Sequence, residues 1–80
     1  MSGTEKQATH KVDARGLSCP MPLLKARQAL NAVKSGEKIE VLATDQGSWR
    51  DIRAFTEQSG HLLVEAVDDD GVYRYCLQKK

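Results

Sequence analysis

Long apolar runs are missing from this sequence, which nowhere approaches the roughly 20 consecutive apolar residues of a membrane-spanning helix. Residues 1–9, MSGTEKQAT, also lack the apolar core of a secretory leader, so the chain is expected to be cytoplasmic. An excess of one charge is absent too. Twelve Lys and Arg against 11 Asp and Glu leave a net +1, and the basic residues are dispersed. That argues against a surface tracking a phosphate backbone, so no nucleic acid is expected as a direct ligand. Cysteine is scarce: Cys19 and Cys76 stand alone, with no CxxC pair and no His at metal-ligand spacing, which excludes a structural zinc site. In a reducing compartment each is expected as a free thiol. There are no internal repeats and no low-complexity linker. With 80 residues, 40% of them hydrophobic, the chain makes one domain, whose core supplies about 3–5 kcal/mol of net stability. There is room for one site.

Residues 1–9 are polar and featureless and are expected to form a disordered tail, with a single domain over 10–80. Residues 10–14 (HKVDA) form a short strand that ends at the turn signal Arg15, Gly16. Over residues 20–34, Leu23, Ala26, Leu30 and Val33 recur at spacings of three and four, the signature of an amphipathic helix. Pro20 suits its first position, and Gly36 follows as a stop signal. Residues 37–44 (EKIEVLAT) alternate Ile39, Val41 and Ala43 with Glu40, Leu42 and Thr44, a strand with one more apolar face. Asp45 offers an N-cap to a second helix over 46–59, with Trp49, Ile52, Phe55 and Thr56 at helical spacing and Gly60 behind it. Residues 62–67 and 72–77, separated by three aspartates and Gly71, read as a hairpin around an Asp-Gly pair. The order β-α-β-α-β-β predicts an α+β two-layer sandwich. Each helix has a single apolar stripe, so both should cover one face of a four-stranded mixed sheet.

The chain has only two prolines, and both flank the same spot: Cys19, Pro20, Met21, Pro22. With the helix starting at Pro20, Cys19 would occupy the N-cap, where Ser, Thr, Asp or Asn is the usual choice. A thiol there gives up about 1 kcal/mol of capping. The helix dipole and the N–H groups of Met21 and Leu23 would favour its charged form, so the predicted direction is a lowered thiol pKa on a turn stiffened by proline. The plainer alternative is a small buried hydrophobe. Cys76 alternates with Tyr75 and Leu77 in the last strand, has no such partner, and reads as structural filler.

The residues Asp13, Arg15, Gly16, Leu17, Cys19, Pro20 and Pro22, in the pattern D-x-R-G-L-x-C-P-x-P-L-L, resemble the TusA family of small sulfur carriers, also called SirA-like. The similarity extends from residue 11 onward and includes Gly36, Glu37, Asp45, Arg50, Asp51, Ile52, Tyr73, Arg74 and Tyr75. The resemblance implies the same sandwich, with the cysteine of the CPxP motif, here Cys19, carrying sulfane sulfur as a persulfide. It further implies a cysteine desulfurase or rhodanese-like donor, an acceptor protein thiol, and relays such as tRNA thiolation, molybdenum-cofactor assembly or sulfur oxidation, without choosing among them. No cofactor or metal is implied. Many members have proline where this chain has Gln46 and Arg53, and an aliphatic residue where it has Cys76.

Around Cys19, the residues Asp13, Arg15, Gly16, Leu17, Pro20, Met21 and Pro22 are expected to support the turn and the helix start, and Arg50 is a docking candidate. His10 and His61 precede strands and read as bystanders, and Trp49 as core or partial interface. Two rival functions remain. One is a non-catalytic protein-binding module, indifferent to Cys19→Ser. The other is a redox sensor in which Cys76 resolves an oxidised Cys19, which needs the two Cα atoms within about 7 Å.

Overall fold

In the computed structural model, which describes residues 10–80, six elements follow in the predicted order. They are β1 His10–Ala14, α1 Met21–Ala32, β2 Lys38–Ala43, α2 Gly47–Ser59, β3 Leu62–Asp69 and β4 Val72–Gln78. The tail expected over residues 1–9 lies outside the described residues. The strands are arranged β1-β2-β4-β3, with β1 parallel to β2 and the other pairings antiparallel. This is the mixed four-stranded sheet the sequence predicts.

The period of two along each strand decides which side chains face the helices. Ile39, Val41 and Ala43 of β2 pair with Leu77, Tyr75 and Tyr73 of β4, so the alternate residues of both strands share a face. All but the half-buried Tyr73 are fully enclosed, together with Ala26, Ala29, Leu30 and Val33 of α1 and its end, and Ile52 of α2. Both helices therefore lie on one side. Alanine at positions 26 and 29 lets α1 approach the sheet closely, while Leu30 fills the space beside them at 1% exposure. Full burial of a side chain of that size stabilises by about 1.5–3 kcal/mol. The opposite face carries Glu40 between Lys11 and Arg74, with Cys76 nearby.

The predicted helix limits shift inward at α1. Met21 N–H donates to the Ser18 carbonyl (2.9 Å), which closes a separate turn through Cys19 and Pro20, and the helix opens only after it. Pro20, with ψ near 18°, takes the N-cap and makes no side-chain cap; the Cys19–Pro20 peptide is cis. Pro22 falls in the first turn and is buried. At α2 the N-cap is Gln46 rather than Asp45, again without a side-chain cap. The helix C-termini are closed from the end of the chain. Lys79 Nζ donates to the Val33 carbonyl and Lys80 Nζ to that of Ser59, while Gly60 adopts the left-handed φ of 88° that ends α2. The β3–β4 turn is tighter than the four acidic-to-glycine residues suggest. Only Asp70 (φ 54°) and Gly71 (φ 92°) lie between the strands, the two positive φ values of a type I′ hairpin.

For function, the parallel pair matters most. Two parallel neighbours end at the same edge of the sheet, so the β1–α1 and β2–α2 loops emerge side by side, the place where sheets of this kind usually bind ligands. Gly16 N–H donates to Thr44 Oγ1 (2.9 Å) and ties the two loops together.

Candidate functional site

Cys19 sits on the first of these loops, exposed, with its side chain against the start of α2. A Cβ added to Gly47 would lie 3.6 Å from Cys19 Cβ and 3.9 Å from its Sγ, so glycine at that position leaves the room the cysteine occupies. The thiol donates to Asp51 Oδ2 at 2.7 Å, across 32 positions of sequence. Asp45 is close as well. One of its oxygens, Oδ2, is buried without a hydrogen-bond partner among the described residues, 2.9 Å from the same added Cβ.

These neighbours reverse the predicted direction of the thiol pKa. It is raised from the ordinary value, first by the hydrogen bond to Asp51, then by partial desolvation and by the charges of Asp51 and Asp45, with Arg50 alone pulling it down. The expected dipole effect does not win for two geometric reasons. Cys19 is not the N-cap of α1, and the Met21 N–H that was to face the sulfur is spent on Ser18. Two carboxylates within interaction range disfavour a second negative charge. Cys19 therefore rests as a protonated thiol.

The other predicted residues divide. Asp13 and Arg15 bind each other rather than the thiol, with Arg15 Nε on Oδ1 and Nη2 on Oδ2, both at 2.9 Å, and the Arg15 N–H at 3.1 Å. This two-pronged pair holds the Asp13 carboxyl at about 2. Gly16 takes the φ of 81° that its turn requires, and Leu17 N–H reaches back to the Ala14 carbonyl (3.3 Å). Pro20 is exposed and Pro22 anchors the first turn of α1 in the core, leaving Met21 and Leu24 exposed on the outside of the helix. Arg50 does reach the site, through its charge on Cys19. Trp49 packs on the core edge against Tyr73 and Tyr75. His61 accepts the Lys80 N–H and takes no part.

Sequence reasoning missed Gly47 and Asp51 as site residues and gave Asp45 only a capping role. The available signal was topological: two β-α units in succession make a parallel pair whose loops meet, and both loops carry polar residues. Cys76 is elsewhere. It pairs laterally with Glu40 and Glu65, on the face away from Tyr75 and Leu77, beside Lys38 and Val64. The sheet stands between it and the helix side where Cys19 lies, and both thiols are free. Burial raises the Cys76 pKa, as expected of a packed thiol. No described group of three or more His, Cys, Asp or Glu could hold a metal ion, and no described helix is long and apolar enough to cross a membrane.

Residues 10–79, nearly all of the described chain, match the family described as sulfurtransferase TusA. The chain belongs to the TusA family. It is 42% identical over 69 residues to the sulfur carrier protein TusA of Allochromatium vinosum, covering 86% of this chain and 91% of that one. It is 44% identical to a candidate sulfur carrier of Neisseria meningitidis serogroup B, covering 86% and 93%. Among solved structures, a SirA-like protein from Desulfitobacterium hafniense superposes with a TM-score of 0.76 at 27% identity, over 86% of this chain and 95% of that one. Its TusA-type fold is the sandwich described above, and membership places the chain in a family of sulfur carriers.

Proposed function

We propose that this protein carries sulfur as a persulfide on Cys19, accepting it from a cysteine desulfurase or rhodanese-type donor and passing it to the thiol of an acceptor protein. The carrying observation is the placement of an exposed thiol at the meeting point of the β1–α1 and β2–α2 loops. A carrier must offer its sulfur to two partners in turn, and a thiol raised on a loop between two helix starts is open to both. The exposed Met21 and Leu24 and the cationic Arg50 border it as contact surface. Exchange needs only thiols and persulfides, so the protein works with partner enzymes and without an organic cofactor. The acceptor feeds a sulfur relay of the kind that ends in tRNA thiolation, cofactor assembly or sulfur oxidation.

The test is mass spectrometry after incubation with a cysteine desulfurase and cysteine, or with a rhodanese and thiosulfate. The wild type is expected to gain a reductant-labile mass of one sulfur atom on Cys19, and Cys19→Ser to gain none. A wild type that takes up no sulfur from either donor, or a Cys19→Ser variant that performs as well as wild type in a reconstituted relay, would overturn the reading in favour of a plain binding module.

A further inference from the structure

Resting on the carrier reading, we propose that Asp51 is the proton relay of Cys19, a catalytic residue that passes the thiol proton to the donor sulfur as sulfur arrives and hands the acceptor's proton to Cys19 as sulfur leaves. The geometry is that of a general base already in place. The Sγ–H of Cys19 points to Asp51 Oδ2 at 2.7 Å, within the range required for proton transfer, and the carboxylate is held on α2 rather than on a loop. Among the described residues no ion pair engages Asp51, so its charge is directed at the thiol instead of being neutralised elsewhere. The remaining charged groups facing the sulfur are Asp45, from the β2–α2 loop, and Arg50, from α2.

The chemistry needs such a group. A thiol kept protonated by two carboxylates offers little thiolate at neutral pH, yet the thiolate is the nucleophile in sulfur exchange. A base in contact removes the proton only as the new bond forms. In loading, Cys19 Sγ attacks the outer sulfur of a donor persulfide, R–S–SH, while its proton moves to Asp51. The Cys19 S–S bond forms, the donor S–S bond breaks, and the electron pair leaves on the donor sulfur, which collects the proton from Asp51. The sum is Cys19–SH plus R–S–SH giving Cys19–S–SH plus R–SH, with no oxidant or reductant. Delivery runs the same path backwards: an acceptor thiol attacks the outer sulfur as its proton moves to Asp51, the Cys19 S–S bond breaks, and Asp51 passes that proton to the departing Cys19 Sγ. The same pair protects the resting site. A thiol that loses its proton only to a base already in contact is slow toward stray electrophiles and oxidants.

The experiment compares wild type, Asp51→Asn and Asp51→Glu in two rates on the whole chain: alkylation of Cys19 by iodoacetamide across pH, and sulfur uptake from glutathione persulfide followed by mass spectrometry. A small-molecule donor removes any effect on protein docking. In Asp51→Asn the raising charge is gone, so alkylation at pH 7 should accelerate and its pH profile move down. Sulfur uptake should move the other way, slowing on the order of 10²-fold through loss of the base, and Asp51→Glu should recover much of it. A structural role for Asp51 would move both rates together. Uptake by Asp51→Asn as fast as wild type, or faster in step with alkylation, would overturn the relay. Should the wild type take up no sulfur at all, the carrier reading fails separately. The alkylation profile then still decides whether Asp51 holds the thiol proton, and an unshifted profile in Asp51→Asn overturns that as well.

Discussion

Beneath the site runs a buried chain of hydrogen bonds whose energetics are open to direct measurement. Ser48 Oγ donates to the Asp45 carbonyl at 2.7 Å and lies 2.7 Å from the Tyr75 hydroxyl. Since the single Ser48 proton is committed to Asp45, the phenol is the donor to Ser48. Both residues are enclosed, Ser48 at 1% and Tyr75 at 0% exposure, so no water replaces a lost partner. Ser48→Ala strands the Tyr75 hydroxyl and should destabilise by about 1–3 kcal/mol, whereas Tyr75→Phe deletes the donor itself and should lose about 0.5–1.5 kcal/mol. The double variant leaves no orphan phenol, so it should be more stable than the sum of the two single changes predicts, with a coupling near 1 kcal/mol. Equilibrium urea unfolding of the four proteins measures this, provided the slope with denaturant stays constant. In a domain of this length each kcal/mol also lowers Tm by roughly 4–8 °C, well within reach of thermal scans. Additivity within about 0.3–0.5 kcal/mol would refute the chain and, with it, the view that Tyr75 on β4 fixes the backbone of Asp45 beside Cys19.

Two further outcomes follow from the same geometry. Gly47→Ala at the first position of α2 gains at most about 1 kcal/mol of helix propensity but places its methyl group 2.9 Å from Asp45 Oδ2 and against Cys19, so stability should change by less than about 2 kcal/mol. The thiol should be more strongly affected, with iodoacetamide alkylation slowing as the methyl covers one side; an unchanged rate would contradict the contact. Asp13 titrates at about 2 because Arg15 binds its charged form. Its folded pKa is depressed, so whatever the pair contributes is complete above the ordinary carboxylate range and lost as pH falls through about 2. Arg15→Ala should return the Asp13 carboxyl, followed by NMR, toward 3.8.

Much of the fold was legible because its signals are local. The strand over His10–Ala14 was bounded by a turn pair, the α1 stripe by its spacing, and the β3–β4 hairpin by an Asp-Gly pair whose backbone takes the two positive φ values it favours. Where local signals competed, the reading slipped. Pro20 suits a first helical position, but the Ser18 to Met21 turn displaced the helix start by one residue, and that step removed Cys19 from the cap. Asp45 suits an N-cap by residue type, yet Gln46 holds that place, and one carboxylate oxygen of Asp45 is buried beside Gly47 instead.

The sequence by itself determined the element order and the two-layer class and singled out Cys19 as the candidate site, since periodicity, turn chemistry and the CPxP stretch all act within a few residues of chain. Tertiary structure alone decided the charge environment of that residue. The dipole of α1 can be read from its own turn, but the carboxylate that accepts the Cys19 hydrogen bond lies 32 positions away. Only the parallel pairing of β1 with β2 brings the two loops to one edge of the sheet. Electrostatic interaction depends on distance in space, and for this thiol the nearest charges come from the second β-α unit, which turned an expected lowering of its pKa into a rise.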